Sequence, residues 1–212
     1  MSLRMFAVYI LILALMSALY IGIPAYRQRT AVRAIKRGGY VSMRHAGPRW
    51  IQRLVGDDWN DLFGKPLEVS LYKDCVDDAF LAQVSTLTKL ERLIIDSPDV
   101  TDAGFANLVR MTELRALYIA DTNISDAGLV HIRRLTNLTA LDLTGTKVSS
   151  AGLRPLVELR KLEYLALSST QISDADIAEL KTALPKMAIV VDGQYIAAPP
   201  FKGTGMKGGG VF

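Results

Sequence analysis

The sequence repeats with a period of 24 residues over more than half of its length. An alanine preceded by Asp or Ser recurs at this spacing at Ala79, Ala103, Ala127, Ala151 and Ala175. Six apolar columns keep the same step without an insertion, and two of them read Val69, Leu93, Leu117, Leu141, Leu165, Ile189 and Leu71, Ile95, Ile119, Leu143, Leu167, Val191. A unit this short cannot bury its own apolar face, so successive units must stack to build a continuous core.

The spacing inside each unit predicts its local structure. Leu93 and Ile95 alternate with a period of two, which indicates a short strand. Apolar residues then recur at three-residue steps, which indicates a helix lying on the strand layer by one face. The column before this helix holds only good N-cap types, namely Asp77, Thr101, Ser125, Ser149 and Ser173. We therefore predict a strand, a turn, a capped helix and a return in every unit.

Three segments carry a resemblance to a known family. Residues 114–124, 138–148 and 162–172 follow the pattern L-x-x-L-x-[IL]-x-x-T-x-[IV], which resembles the leucine-rich repeat family with Thr where Asn is usual. With its apolar N-terminal segment and its T-x-[VI]-[ST]-D-A-G-L units, the chain looks like small bacterial membrane-anchored leucine-rich repeat proteins. The resemblance covers roughly residues 66–192. It implies an α/β fold, a right-handed β/α solenoid of about five repeats with six short parallel strands.

The flanks of the repeats should cover or extend the solenoid. An exposed solenoid end needs a cap, and the apolar cluster within residues 48–65, which includes Trp50 and Trp59, predicts a helical N-terminal cap. Residues 193–212 are rich in Gly and Pro, which predicts a flexible tail.

An uncharged apolar run at residues 5–26 follows a short flank at residues 1–4. As a helix this run would be roughly 33 Å long, enough to cross a hydrocarbon core of about 30 Å. We therefore predict a single-pass transmembrane anchor in the cell membrane. The alternative is a cleaved signal peptide, whose apolar region is usually shorter and ends in a small-x-small site.

The charge is unevenly distributed along the chain. Residues 1–65 hold ten Lys/Arg and three Asp, whereas residues 66–194 hold thirteen Lys/Arg and eighteen Asp/Glu. Residues 27–47 are predicted to be a basic juxtamembrane linker, and their cations should contact anionic headgroups and favour a cytoplasmic location for the rest of the chain. These cations are Arg27, Arg29, Arg33, Lys36 and Arg37. Nucleic acid is not an expected partner, because the segment lacks interleaved stacking aromatics.

The residue content argues against most catalytic and metal chemistry. One Cys cannot form an internal disulfide, and two His with one Cys cannot build a Cys/His zinc site. We find no phosphate-binding loop and no converging nucleophile and base, so we predict no cofactor, no metal and no enzymatic activity. Cys75 is expected to be a structural thiol, and His131 an ordinary surface residue.

What remains is the concave strand face, onto which the residues between the core positions project. Tyr and Arg are the residue types that most often anchor a protein contact. The predicted partner site consists of Arg92, Ile94, Tyr118, Asp142 and Tyr164. The alternative is that these are solvated sheet positions with no partner.

The predicted function is that of a membrane-anchored, non-catalytic module that binds a protein or peptide. One alternative is a structural envelope component that self-associates through its cap or its final strand edge. Another is an adaptor or regulatory subunit of a membrane complex.

Overall fold

The structure is a computed structural model that describes Met16 and residues 22–44, 64–72, 76–168, 170 and 172–195. Most of the predicted anchor at residues 5–26, nearly all of the predicted cap at residues 48–65, Cys75 and the tail beyond residue 195 lie outside these ranges. Within the described ranges, no helix combines the length and the apolar character that a bilayer crossing requires.

One sheet of eight strands runs through the described residues, with the strands in sequence order. The strands are β1 (Gly39–Arg44), β2 (Lys65–Tyr72), β3 (Arg92–Asp96), β4 (Ala116–Ala120), β5 (Ala140–Asp142), β6 (Tyr164–Ala166), β7 (Ala188–Val191) and β8 (Gln194–Tyr195). Strands β2 to β7 pair in parallel, and each pair is offset by 24 residues, so that Leu93 lies beside Leu117 and Leu117 beside Leu141. The predicted parallel sheet and its six-strand register are confirmed for this part of the chain.

Each repeat returns through a helix. The helices are α1 (Ile23–Gly38), α2 (Asp78–Val84), α3 (Asp102–Phe105), α4 (Asp126–Leu129) and α5 (Asp174–Ala183), with 3₁₀ helices at Ala106–Arg110, Val130–Arg134 and Ser150–Glu158. The apolar residues of the middle repeats recur at three-residue steps, which matches the three residues per turn of a 3₁₀ helix. The first repeat has the same steps at Leu81, Val84 and Leu87, and an α-helix forms there. In the last repeat Ile177, Leu180 and Leu184 are spaced by three and then four residues, and an α-helix forms.

The predicted N-caps are present at the start of the helical segment in each of the five repeats. The Asp77 side chain accepts the Phe80 N–H at 2.7 Å, and Ser125 Oγ accepts the Ala127 N–H at 3.2 Å. The N-cap side chains of the other repeats make equivalent bonds. These bonds satisfy helix N–H groups that have no partner within the helix.

The core lies between the sheet and the helical layer, and it is filled by the predicted columns. Leu117, Leu141 and Leu165 are all 0% exposed. Three threonines that stand where the family usually has Asn close each turn within its own repeat. The Thr146 hydroxyl donates to the Leu143 carbonyl at 2.6 Å, and Thr122 and Thr170 make the same bond three residues back. These hydroxyls therefore do not form a ladder between repeats.

A ladder of aspartates joins neighbouring repeats instead. Asp102 accepts two hydrogen bonds from Ser125 of the next repeat, the N–H at 2.8 Å and the hydroxyl at 2.6 Å. The same two bonds join Asp78 to Thr101 and Asp126 to Ser149. Each aspartate therefore holds the N-cap residue of the following repeat, besides lying at the positive end of its own helix.

In the three middle repeats, a glycine two residues after the repeating Asp or Ser leaves room for this ladder. A Cβ atom on Gly128 would lie 2.4 Å from Asp102 Oδ1. On Gly104 and Gly152 it would lie 2.2 Å and 2.3 Å from the equivalent aspartate oxygen. The close approach of an aspartate from the preceding repeat therefore accounts for the glycine of the D-A-G sequence.

The first end of the solenoid differs from the prediction. Residues 27–47 were assigned to a linker, whereas residues 23–44 form α1 and β1. Strand β1 pairs antiparallel with β2, and α1 buries Ala31, Val32 and Ile35 in the core. The physical reason is the amphipathic pattern of α1, which puts its apolar residues on one face and Arg27, Arg33 and Lys36 on the exposed side.

The last end also extends further than predicted. Residues 193–212 were assigned to the flexible tail, yet β8 pairs antiparallel with β7 through Gln194 and Tyr195. Asp192 and Gly193 both have positive φ angles, 48° and 74°, as a two-residue hairpin turn of type I′ requires. The Asp-Gly pair between two short apolar segments was the sequence signal for this hairpin.

Candidate functional site

The strand face is defined here as the side of the sheet opposite Leu93 and Ile95. Because side chains alternate along a strand, two rows of residues cross this face. The first row is Tyr40, Ser70, Ile94, Tyr118, Asp142, Ala166 and Val190. The second row is Ser42, Glu68, Arg92, Ala116, Ala140, Tyr164 and Ala188.

The five predicted site residues occupy four consecutive strands of this face. Arg92 and Ile94 lie on β3, Tyr118 on β4, Asp142 on β5 and Tyr164 on β6. All five side chains are partly exposed. The parallel register therefore brings together residues that are up to 72 positions apart in the sequence, from Arg92 to Tyr164.

Tyr118 lies at the centre of the charged part of the strand face. Burial is the largest influence on its hydroxyl and raises the pKa of Tyr118 above its ordinary value. Asp142 and Glu68 also raise this pKa, while Arg92 acts in the opposite direction. The Tyr118 phenol is therefore neutral at physiological pH and can both donate and accept a hydrogen bond.

The charged neighbours of Tyr118 differ in how they are held. Arg92 Nη1 lies 3.7 Å from Glu68 Oε2, and both side chains are partly exposed, so this ion pair contributes little to stability. Asp142 Oδ1 accepts the Thr144 N–H at 2.9 Å, which fixes the carboxylate at the end of β5. On β3, Asp96 Oδ1 is shielded from solvent and has no hydrogen-bond partner.

The two site tyrosines stand on either side of small residues. Ala140 lies beside Tyr164 in the second row, and Ala166 follows Asp142 in the first row. Ala116, the neighbour of Ala140 on β4, is buried. Strand β5, between the strands of the two tyrosines, carries the small Ala140 and the acidic Asp142 on this face.

The repeat pattern did not predict two residues of the strand face, Tyr40 and Ser42. Both lie on β1, where Tyr40 pairs with Ser70 and Ser42 with Glu68. Tyr40 is 61% exposed, which is unusual for a large aromatic side chain on a sheet. The alternation of polar and apolar residues from Tyr40 to Met43 was a weak strand signal.

The described part of the chain contains no group of three or more His, Cys, Asp and Glu side chains placed to bind a metal ion.

Comparison with known proteins bears on the fold. Residues 134–157 match a family model described as Leucine Rich repeat, over the length of one repeat unit. The fold is a leucine-rich repeat solenoid. A comparison of the chain with curated protein sequences gives no match.

Three solved leucine-rich repeat structures are similar to the chain. The ectodomain of the receptor kinase SOBIR1 from Arabidopsis thaliana is 14% identical with a TM-score of 0.46, and the match covers 78% of this chain and 91% of that one. A leucine-rich repeat protein of Leptospira interrogans is 18% identical with a TM-score of 0.42, covering 63% and 38%. An internalin from Listeria monocytogenes is 19% identical with a TM-score of 0.37, covering 66% and 52%. The chain spans less than two thirds of the length of the latter two proteins.

Proposed function

We propose that the protein is a non-catalytic binding module whose strand face takes up a protein or peptide. The observation that carries this proposal is the grouping of Arg92, Tyr118 and Tyr164 on strands β3, β4 and β6 of one sheet. Side chains on a packed sheet lose little conformational freedom when a partner docks, so a contact made there is favoured over one made by a loop. Aromatic and arginine side chains dominate the free energy of most protein interfaces.

We further propose that the module is anchored to the cell membrane through residues 5–26. The support is the uncharged apolar run in the sequence and the exposed cations that follow it. Of the five cations predicted to contact headgroups, Arg27, Arg33 and Lys36 are exposed on α1, and Arg29 is half-buried. An apolar segment followed by cations suits an anchor in a membrane with anionic lipids.

The strand face can be tested by site-specific crosslinking in cells. A photo-reactive amino acid replaces Ala140, on the strand face, or Ala151, which is exposed on the helical side. We expect a defined crosslinked product from position 140 and not from position 151. Tyr118→Ala and Tyr164→Ala should each reduce the yield at position 140, because they remove the aromatic anchors.

The possible outcomes separate this proposal from its alternatives. An equal pattern of products from both positions, or a yield from position 140 that is unchanged in the two tyrosine variants, would contradict binding at the strand face. A product with the mass of two copies of the chain would instead support the self-associating component. The expression level and the unfolding midpoint of each variant serve as controls for folding.

A further inference from the structure

The two long edges of the solenoid carry opposite charge. All parallel strands begin at one edge, where the helices of the repeats end, and all of them finish at the other edge. The exposed Arg44 lies at the first edge, where it pairs with Lys65. In the described repeats, the exposed cations at this edge are Lys89, Arg110, Arg115, Arg133, Arg134, Arg160, Lys161 and Lys186. We call these eight repeat residues the basic edge. The exposed anions next to them are Glu158 and Glu163, and Glu113 Oε1 lies 3.6 Å from Lys89 Nζ.

The opposite edge is acidic. The exposed anions in the described turns and helix starts there are Asp77, Asp99, Asp121, Asp174 and Asp192. We call these five residues the acidic edge. The exposed cations near them among the described residues are Lys147 and Lys36. Because the 24-residue period places equivalent positions of all repeats in line, the charges form two stripes along the stack rather than a mixed surface.

The N-terminal helix begins at the basic edge. Gln28 Nε2 donates to the Gly64 carbonyl at 2.6 Å, and Gly64 directly precedes the first residue of β2. The other end of α1 leads into Gly39, which pairs with Leu71 near the end of β2. Helix α1 therefore runs from the basic edge to the acidic edge, so that Arg27 near its start lies at the basic edge and Lys36 in its last turn lies at the acidic edge. Of these two cations, only Arg27 is placed to contact headgroups at the basic edge.

The start of α1 exposes apolar side chains next to this stripe. Tyr26 is 65% exposed and Ile23 is 43% exposed, and Arg27 beside them is exposed as well. In the sequence, the apolar run of residues 5–26 ends at this point. The predicted anchor thus joins the solenoid at its cationic edge and not at its anionic one.

We infer that the basic edge lies against the headgroups of an anionic membrane, with the acidic edge pointing away from it. This inference rests on the proposed anchoring through residues 5–26. Cations near a membrane surface are attracted by anionic lipids, and aspartates at the same surface would be repelled. Because α1 packs into the core of the solenoid, the whole stack of repeats takes the same orientation at the membrane as α1. In this orientation the strand face is at the side and stays accessible to a partner.

The test uses the full-length chain in vesicles of phosphatidylcholine alone or of an equal mixture with phosphatidylglycerol. In a Cys75→Ser background, a fluorophore is attached through Thr136→Cys or through Lys147→Cys. Both positions are exposed, the first at the basic edge and the second at the acidic edge. Quenching by a nitroxide on the lipid headgroup reports which edge lies at the surface.

We expect several-fold stronger quenching at position 136 than at position 147 in the anionic vesicles. The difference should diminish in phosphatidylcholine alone and at high salt, because screening weakens the attraction. The double variant Arg133→Gln/Arg134→Gln should reduce the quenching at position 136. The matched variant Asp99→Asn/Asp174→Asn, which removes two charges from the acidic edge, should not reduce it.

Two different failures can be told apart. A chain that does not float with any of the vesicles would overturn the anchoring and this inference together. A chain that floats, but whose two probes are quenched equally or without dependence on anionic lipid, would overturn the orientation alone and leave the anchoring intact.

Discussion

The Ser150 hydroxyl donates to Asp176 Oδ2 at 2.5 Å, and this bond reverses the ladder found between the other repeats. In the repeat before it, the aspartate is Asp126 and the residue opposite its carboxylate is Gly152. In the last pair of repeats, Ser150 takes the position equivalent to Asp126. The carboxylate belongs to Asp176, which takes the position equivalent to Gly152. The D-A-G sequence is changed at two places, with Ser150 in place of Asp and Asp176 in place of Gly. These two changes belong together, because they move the carboxylate from one side of the repeat interface to the other.

A methyl group at Gly128 should destabilise the fold. In Gly128→Ala the new Cβ atom would lie 2.4 Å from Asp102 Oδ1, so either the helix or the carboxylate must shift. We expect a loss of about 1–3 kcal/mol in the free energy of unfolding, as is usual for overpacking. Urea denaturation followed by circular dichroism measures this change.

The same substitution should cost less when Asp102 is replaced by Ser. The double variant Asp102→Ser/Gly128→Ala has a short side chain opposite the methyl group, as Ser150 is opposite Asp176. A double-mutant cycle should give a favourable coupling of about 1 kcal/mol, since the two residues are in contact. A coupling of zero would show that the carboxylate is not the group that excludes the methyl.

Asp102 and Asp174 occupy the same repeat column but should differ in importance. Asp102 accepts two hydrogen bonds from Ser125, whereas Asp174 is exposed at the last described helix. Asp102→Ala leaves the Ser125 N–H without its partner, and we expect a loss of about 1–3 kcal/mol. Asp174→Ala, the matched control, should stay within about 0.5 kcal/mol of the parent. Equal effects would contradict the ladder.

Asp176 should make the stability of the fold depend on pH. Hydrogen bonds from the Ser150 and Ser173 hydroxyls lower the pKa of Asp176 in the folded protein below its unfolded value. The folded state thus gains stability above the unfolded pKa, near pH 4, and loses it as the pH falls through the folded pKa.

The measurement for Asp176 compares the parent chain with Asp176→Asn from neutral pH down to below pH 4. The parent should be the more stable at neutral pH, and the difference should shrink on acidification. Glu91, whose pKa Lys65 also lowers, is present in both proteins, so its contribution cancels in the difference. A difference that grows at low pH would contradict the assignment.

Leu117 should be one of the costliest positions to truncate. It is fully buried in the middle of the stack, between its column neighbours Leu93 and Leu141. Leu117→Ala should lower the free energy of unfolding by about 2–5 kcal/mol through lost burial and a residual cavity. Val130→Ala, at a site that is 45% exposed on the helical side, should change it by less than about 0.5 kcal/mol. Denaturant titrations of both variants provide the comparison.

The sequence predicted the relative positions of those candidate-site residues that lie within the 24-residue repeats. Placing Ile94 beside Tyr118, and Tyr118 beside Asp142, needs only the 24-residue offset and the alternation of side chains along a strand. Tyr40 could not be placed in this way, because β1 lies outside the repeat and joins the sheet antiparallel. Its register depends on how α1 and β1 pack on the first repeat.

The sequence by itself determined the repeat length, the buried columns, the N-caps and the order of the parallel strands. These features depend on periodicity, which is a property of the chain and is the same in every copy. Only the tertiary structure decided the roles of Asp102, Gly128 and Ser150, because each depends on a contact with the adjacent repeat. The tertiary structure also showed which end of the stack α1 covers. An amphipathic sequence predicts that one face of a helix is buried, but it does not predict the surface against which that face packs.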